Sequence, residues 1–215
     1  PWDRRTDAIN ALPPDRRSRV RFFEAHCGFG VHERLPGPHR YMTVLREPVD
    51  RALSVYYHLR EEGHIDADES LTDFVGRANP AGRVWPIDNA QTRYLAGEHG
   101  VIDDRPHADC DDAMLNLAVE RLRTSIHHLI VQDRFDEGVV VLAHELGWSR
   151  LSYARSNTTR DRRSVREVDQ RIIGQLAELN RLDARLYEAA QTIFQQRAEN
   201  CAEALGSPIA DLVDD

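Results

Sequence analysis

The chain changes hydrophobic period several times, and each change marks the start of an element. Tyr41-Met42-Thr43-Val44-Leu45 is an apolar, β-prone run of the kind that forms a buried strand. It stops at Arg46, and Pro48 stands where a first helical residue belongs, because the amide that proline lacks would have no partner there. Val49, Ala52, Leu53, Tyr56, Tyr57 and Leu59 follow at mixed i+3/i+4 spacing and stop before Gly63, which predicts a helix. Downstream the pattern predicts an amphipathic helix from Asp111 to Arg123, a strand over His128-Leu129-Ile130-Val131, and a helix from Glu137 to Leu146 with Asp136 as its N-cap. Val20-Arg21-Phe22-Phe23 is rich in strand-forming types and predicts an earlier strand ending near His26. Val168, Ile172, Leu176, Leu179, Leu182, Leu186 and Ile193 mark one side of a long helix over about 167–199. Residues 61–115 are broken by glycines and prolines, with short helical pieces around 70–77 and 87–96. Strands that lead directly into helices are the signature of the α/β class.

Length and composition narrow this picture. A chain of 215 residues, 41% hydrophobic and 30% charged, supports one domain, which we place over 1–199, with a mobile tail over 200–215. The 28 basic residues against 36 acidic ones give a net charge of −8, which argues against nucleic acid or an anionic membrane as partner, so an anionic ligand must find a local basic site. Cys27, Cys110 and Cys201 form no CxxC pair, which leaves neither a disulfide framework nor a zinc knuckle and points to a reduced, cytoplasmic setting. His32, His39, His58, His64, His127 and His128 show no metal-ligand spacing, so no metal is expected. No apolar run approaches the roughly 18 residues that span a bilayer.

Candidate chemistry follows from the strand ends. In open parallel sheets ligands bind beyond the carboxyl ends of the strands, which singles out His26 and Arg46. The connection between them is about the minimum length for a parallel crossover, so both are expected at one sheet edge. Arg46 and Ser54 lie eight residues apart, and if both were helical they would share a face, where a guanidinium and a hydroxyl can hold one phosphate. The plainer alternative is that Arg46 pairs with Glu47 or Asp50 and Ser54 is only tolerated in a helix.

The assembled block from Tyr41 to Leu59, with Arg46-Glu47-Pro48 and Ser54 at its centre, closely resembles the 3′-phosphate-binding strand-helix of sulfotransferases that use 3′-phosphoadenosine 5′-phosphosulfate (PAPS). It looks most like the heparan sulfate 2-O-sulfotransferase branch and its bacterial relatives. Ala25-His26 with Gly28-Phe29-Gly30, Gln91-Thr92-Arg93-Tyr94-Leu95-Ala96-Gly97, Asp133-Arg134-Phe135-Asp136 and Leu146-Gly147-Trp148 resemble further family blocks in the same order, and Asn180, Leu182, Asp183, Leu186 and Tyr187 resemble its closing helix.

The resemblance implies a P-loop-like three-layer sandwich, with a central parallel sheet flanked by helices and a long C-terminal helix. It implies transfer of a sulfonate group from PAPS to a hydroxyl of a carbohydrate or small-molecule acceptor, leaving adenosine 3′,5′-bisphosphate (PAP). On it, His26 is the general base, Arg46 and Ser54 hold the 3′-phosphate, and one or more of Arg155, Arg160, Arg162 and Arg163 close over the nucleotide. Gln91, Thr92 and Arg93, a polar cluster after Asn89 inside the irregular region, are the candidate acceptor contacts. The family's Pro-Lys-containing loop around the 5′-phosphosulfate has no counterpart before His26, so the N-terminal strand and loop are expected to be missing from this sequence. The competing reading is a catalytically silent nucleotide-binding or interaction module that uses its C-terminal helix for association, as in a homodimer.

Overall fold

The apolar run Tyr41–Leu45 (β1) finds its partner far downstream, in Ile126–Val131 (β2). The two strands pair in parallel, Met42 beside His128 and Leu45 beside Val131, with an irregularity between Tyr41 and Met42. The computed structural model describes residues 9–77, 87–97, 110–153, 162–207 and 209, and among these the sheet has two strands. A short helix α1 (Pro14–Arg17) precedes β1, and α2 (Pro48–Glu61), α3 (Leu71–Arg77), α4 (Ala90–Leu95) and α5 (Asp112–Thr124) lie between the strands. After β2 come α6 (Phe135–Leu146), α7 (Gln170–Leu179) and α8 (Arg181–Leu205). The molecule is thus helix-rich α/β with a small parallel sheet.

The local signals that start the helices work as the sequence reading requires. Proline fills the first turn of α2, and the carboxylate of Glu47 accepts the amides of Val49 (3.1 Å) and Asp50 (2.6 Å), two donors that would otherwise lack partners. Asp111 caps α5 by accepting the Met114 amide at 2.9 Å. Gly147 (φ 69°) ends α6 in the left-handed conformation.

Alternation along β2 sends its side chains to two covers. Ile130 meets Gly138 of α6, and His128 brings its Nδ1 within 2.5 Å of the Glu145 carboxylate on the same helix. Leu129 and Val131 join Ala118, Leu122, Leu186 and Phe194 in the main core between α5 and α8. A second core packs Leu53, Tyr56 and Leu59 of α2 against Phe74 of α3 and Leu176 of α7.

Three expectations are corrected. Val20–Phe23 forms no strand: the segment is irregular and Phe22 is 74% exposed. Strand-forming residue types become a strand only against a neighbouring backbone, and none pairs with this segment among the described residues. Asp136 lies inside the first turn of α6, which starts at Phe135, so it is not the N-cap. The single helix expected over 167–199 is two, broken at Asn180, whose φ is −113°. The second of them runs on past residue 199 to Leu205 with Cys201 buried, while most of the remaining tail lies outside the described residues.

The break at Asn180 belongs to a buried polar network. Asn180 donates to the carbonyls of Leu176 (2.8 Å) and Ile87 (2.7 Å), and its Oδ1 accepts the Asn89 amide at 3.3 Å. Asn89, in the left-handed region at φ 46°, accepts the amides of Leu182 (2.8 Å) and Asp183 (3.1 Å) at the start of α8. Asp183 in turn accepts the amides of Gln91 (3.0 Å) and Thr92 (2.7 Å) at the start of α4. Burial pushes the Asp183 carboxyl above its ordinary range, against the opposing pull of Arg51 and of these amides.

Two substitutions probe the packing. A Cβ on Gly138 would lie 2.7 Å from Ile130, a buried β-branched residue on a strand, so Gly138→Ala is expected to lower stability by about 1–3 kcal/mol in urea unfolding, the clash outweighing the gain in helix propensity. Asp183→Ala leaves two buried amides and a neighbouring guanidinium without their anion, and should cost about 3 kcal/mol or more by the same measurement.

Candidate active site

The carboxyl end of β1 is where basic groups converge. Arg46, first after the strand, lies in the two-residue link Arg46-Glu47 and not in the helix, so the shared helical face expected for it with Ser54 does not apply. Its Nε donates to Asp50 Oδ2 at 2.6 Å, and its terminal nitrogen pairs with the same oxygen. Arg162, from the segment ahead of α7, pairs with the other carboxylate oxygen of Asp50 and donates to the Asp50 carbonyl at 3.2 Å. Two guanidiniums thus share one carboxylate, and the cluster carries a surplus positive charge inside a chain of net charge −8. The Arg162 Nε is buried and without a hydrogen-bond partner among the described residues. Ser54, half-buried, stands one helical turn beyond Asp50 on the same face of α2.

The backbone of Arg46 is fixed from α4. Gln91 Oε1 accepts the Arg46 amide at 2.9 Å, and Gln91 Nε2 donates to the Arg46 carbonyl at 2.9 Å. Three residues on, the Tyr94 carbonyl accepts the Phe29 amide at 2.7 Å, which anchors the segment just past His26 to the same helix. One helical turn of α4, a rise of about 4.5 Å, therefore separates the anchor of Arg46 from the anchor of the His26 segment. His26 itself is exposed, in an irregular stretch and not at a strand end.

The remaining predicted residues are placed as follows. Thr92 has no exposed surface, and Arg93 is buried, pairing with Asp88 at 3.0 Å. Arg163 is exposed, and Arg155 and Arg160 fall outside the described residues. Beside β2, the Tyr187 hydroxyl donates to Asp133 Oδ2 at 2.9 Å, and burial with that carboxylate holds the phenol above its ordinary pKa. Past it, Arg134 pairs with Glu137 at 2.8 and 2.6 Å, and this partner holds the Glu137 carboxyl below the usual range. No group of three or more metal-ligating side chains occurs among the described residues.

A family model described as galactose-3-O-sulfotransferase matches residues 17–212. The chain belongs to this sulfotransferase family. Comparisons with curated proteins and with solved structures find no match. The match supports sulfotransferase membership read from the Arg46-to-Ser54 block, while the family it names is not the heparan sulfate 2-O-sulfotransferase branch that the block looks most like. No helix among the described residues of this galactose-3-O-sulfotransferase family member is long and apolar enough to cross a membrane.

Sequence reasoning named Arg46, Ser54 and Arg162 but missed how they are organised. Asp50 figured only as an alternative partner of Arg46, and the buried Asp183 only as part of a helix resemblance. Arg51, close enough to Asp183 for their charges to interact, was not singled out at all. Burial lowers the Arg51 pKa and the Asp183 charge resists that shift. The usable signal was the run of polar residues Asp88-Asn89 and Gln91-Thr92-Arg93 in a segment that also had to pack as a helix.

Gln91→Ala removes both bonds to the Arg46 backbone without touching its guanidinium. The expected result is a stability loss of about 1–3 kcal/mol in a thermal melt.

Proposed function

We propose that this protein transfers a sulfonate group from PAPS to a hydroxyl of a carbohydrate or small-molecule acceptor. The observation that carries the reading is the convergence of Arg46 and Arg162 on one carboxylate at the carboxyl end of a parallel strand, within a chain of the galactose-3-O-sulfotransferase family. Guanidiniums present paired donors that match phosphate geometry, and a strand's carboxyl end is where open α/β sheets bind such ligands. Arg46 and Arg162 hold the 3′-phosphate of the donor, with the Ser54 hydroxyl one turn along α2, and Arg163, next to Arg162 in sequence, closes over the nucleotide. His26 accepts the acceptor's proton as its oxygen forms the new S–O bond. The bond between sulfur and the bridging oxygen breaks, and PAP departs with the electron pair.

Within this reading α4 supports the site from behind. Gln91 and Arg93 commit their side chains to Arg46 and Asp88, and Thr92 is enclosed, so they shape the acceptor side by fixing the chain around it. The family name makes a galactose-bearing sugar the first acceptor to test.

Calorimetric titration of PAP tests the donor site without an acceptor. Arg46→Ala is expected to weaken binding by about 1.5 kcal/mol or more, as loss of a charged hydrogen bond should. His26→Ala is expected to leave PAP affinity unchanged while cutting sulfonate transfer by about 10²–10⁴-fold. PAP binding without any transfer favours the silent nucleotide-binding module, and a chain that does not bind PAP overturns the donor-site assignment.

A further inference from the structure

Asp50 bridges the two arginines in a way that a phosphate would. Each of its carboxylate oxygens holds a different guanidinium: Oδ2 takes Arg46, with Nε at 2.6 Å, and Oδ1 takes Arg162. Asp50 lies one turn from Ser54 on α2, and its amide is held by the Glu47 cap at 2.6 Å, so the carboxylate is presented from a rigid first turn. All three side chains keep some solvent contact, at 19%, 30% and 21% exposure for Arg46, Asp50 and Arg162, so an anion arriving from water can reach the pair. A carboxylate brings one negative charge, whereas a phosphate monoester brings about 1.5 to 2 and three acceptor oxygens. The Arg162 Nε, buried and unpartnered among the described residues, offers a donor that the carboxylate does not use.

Resting on the donor-site reading above, we propose that Asp50 is a specificity-determining stand-in for the 3′-phosphate. It keeps Arg46 and Arg162 converged when the site is empty, and it competes with the phosphate for them when PAP binds. The competition lowers affinity for the 3′-phosphate alone. A nucleotide without that phosphate leaves the Asp50 pairs intact and neither gains nor loses by them. Asp50 therefore tempers retention of PAP, the product that must leave before the next turnover.

The test compares PAP with adenosine 5′-monophosphate by calorimetry on the wild-type chain, Asp50→Asn and Asp50→Ser, with thermal melts to confirm that each variant folds. Asp50→Asn keeps the shape and removes the charge. It is expected to bind PAP about three- to tenfold more tightly, with adenosine 5′-monophosphate unchanged, because a partly exposed charged pair no longer competes. Asp50→Ser is expected to move PAP affinity in the same direction, and adding Arg162→Gln to Asp50→Asn should erase the gain. If the wild-type chain binds PAP and the folded Asp50 variants bind it equally or more weakly, Asp50 merely positions the arginines and the inference falls while the donor-site reading stands. Equal tightening of both nucleotides also overturns it, since that is a general charge effect. If no chain binds PAP, the donor-site reading falls and takes the inference with it.

Discussion

Helices α4 and α8 start each other. Asp183 in the first turn of α8 receives the amides of Gln91 and Thr92, and Asn89, just ahead of α4, receives the amides of Leu182 and Asp183. A six-residue helix has no stability of its own in water, because nucleation is unfavourable and few bonds repay it. The cross-capping supplies partners for donors that would otherwise be buried unpaired, and so makes α4 a fixed object. What the site requires then hangs on that object. Gln91 holds the chain at Arg46, and the Tyr94 carbonyl holds it at Phe29, just past His26.

The electrostatics work on two scales. The chain as a whole is acidic at −8, yet every one of its 28 basic residues is an arginine. Arginine stays charged when desolvated and offers planar paired donors, so it serves buried pairs and oxyanion sites better than lysine does. Arg51 near Asp183 illustrates the buried use, and Arg46 with Arg162 the oxyanion use.

Much of the scaffold was legible because its signals are local. Pro48 after an apolar run, Asp111 before an amphipathic stretch, and the apolar strand ahead of Phe135 all act within a few residues, and β1, α2, α5, β2 and α6 appear where those signals put them. The errors arise where a distant residue decides. Val20–Phe23 has the composition of a strand but no ladder to join. The apolar stripe Leu176, Leu179, Leu182, Leu186 continues across Asn180 without a flaw, and the helix breaks there because Asn180 bonds to the carbonyl of Ile87 and the amide of Asn89. At the site, the Arg46–Asp50 pair lies within one turn and was foreseeable, whereas Arg162 was placed over the same nucleotide only by resemblance, and its pairing with Asp50 from 112 positions away was not foreseen.

The reciprocal capping also orders events in time. Its bonds join residues 91 to 94 positions apart, and the Asp50–Arg162 contact spans 112. Loops of that size cost entropy to close before any contact rewards the closure, so these joints form late, after the local helices and their apolar faces have condensed. The arrangement of Arg46, Asp50 and Arg162 is therefore a property of the fully threaded chain. A nascent polypeptide that has not yet emitted residue 183 carries Arg46 and Asp50 but has no fixed α4. The convergence of Arg46 and Arg162 on Asp50 thus waits on residues far downstream of β1.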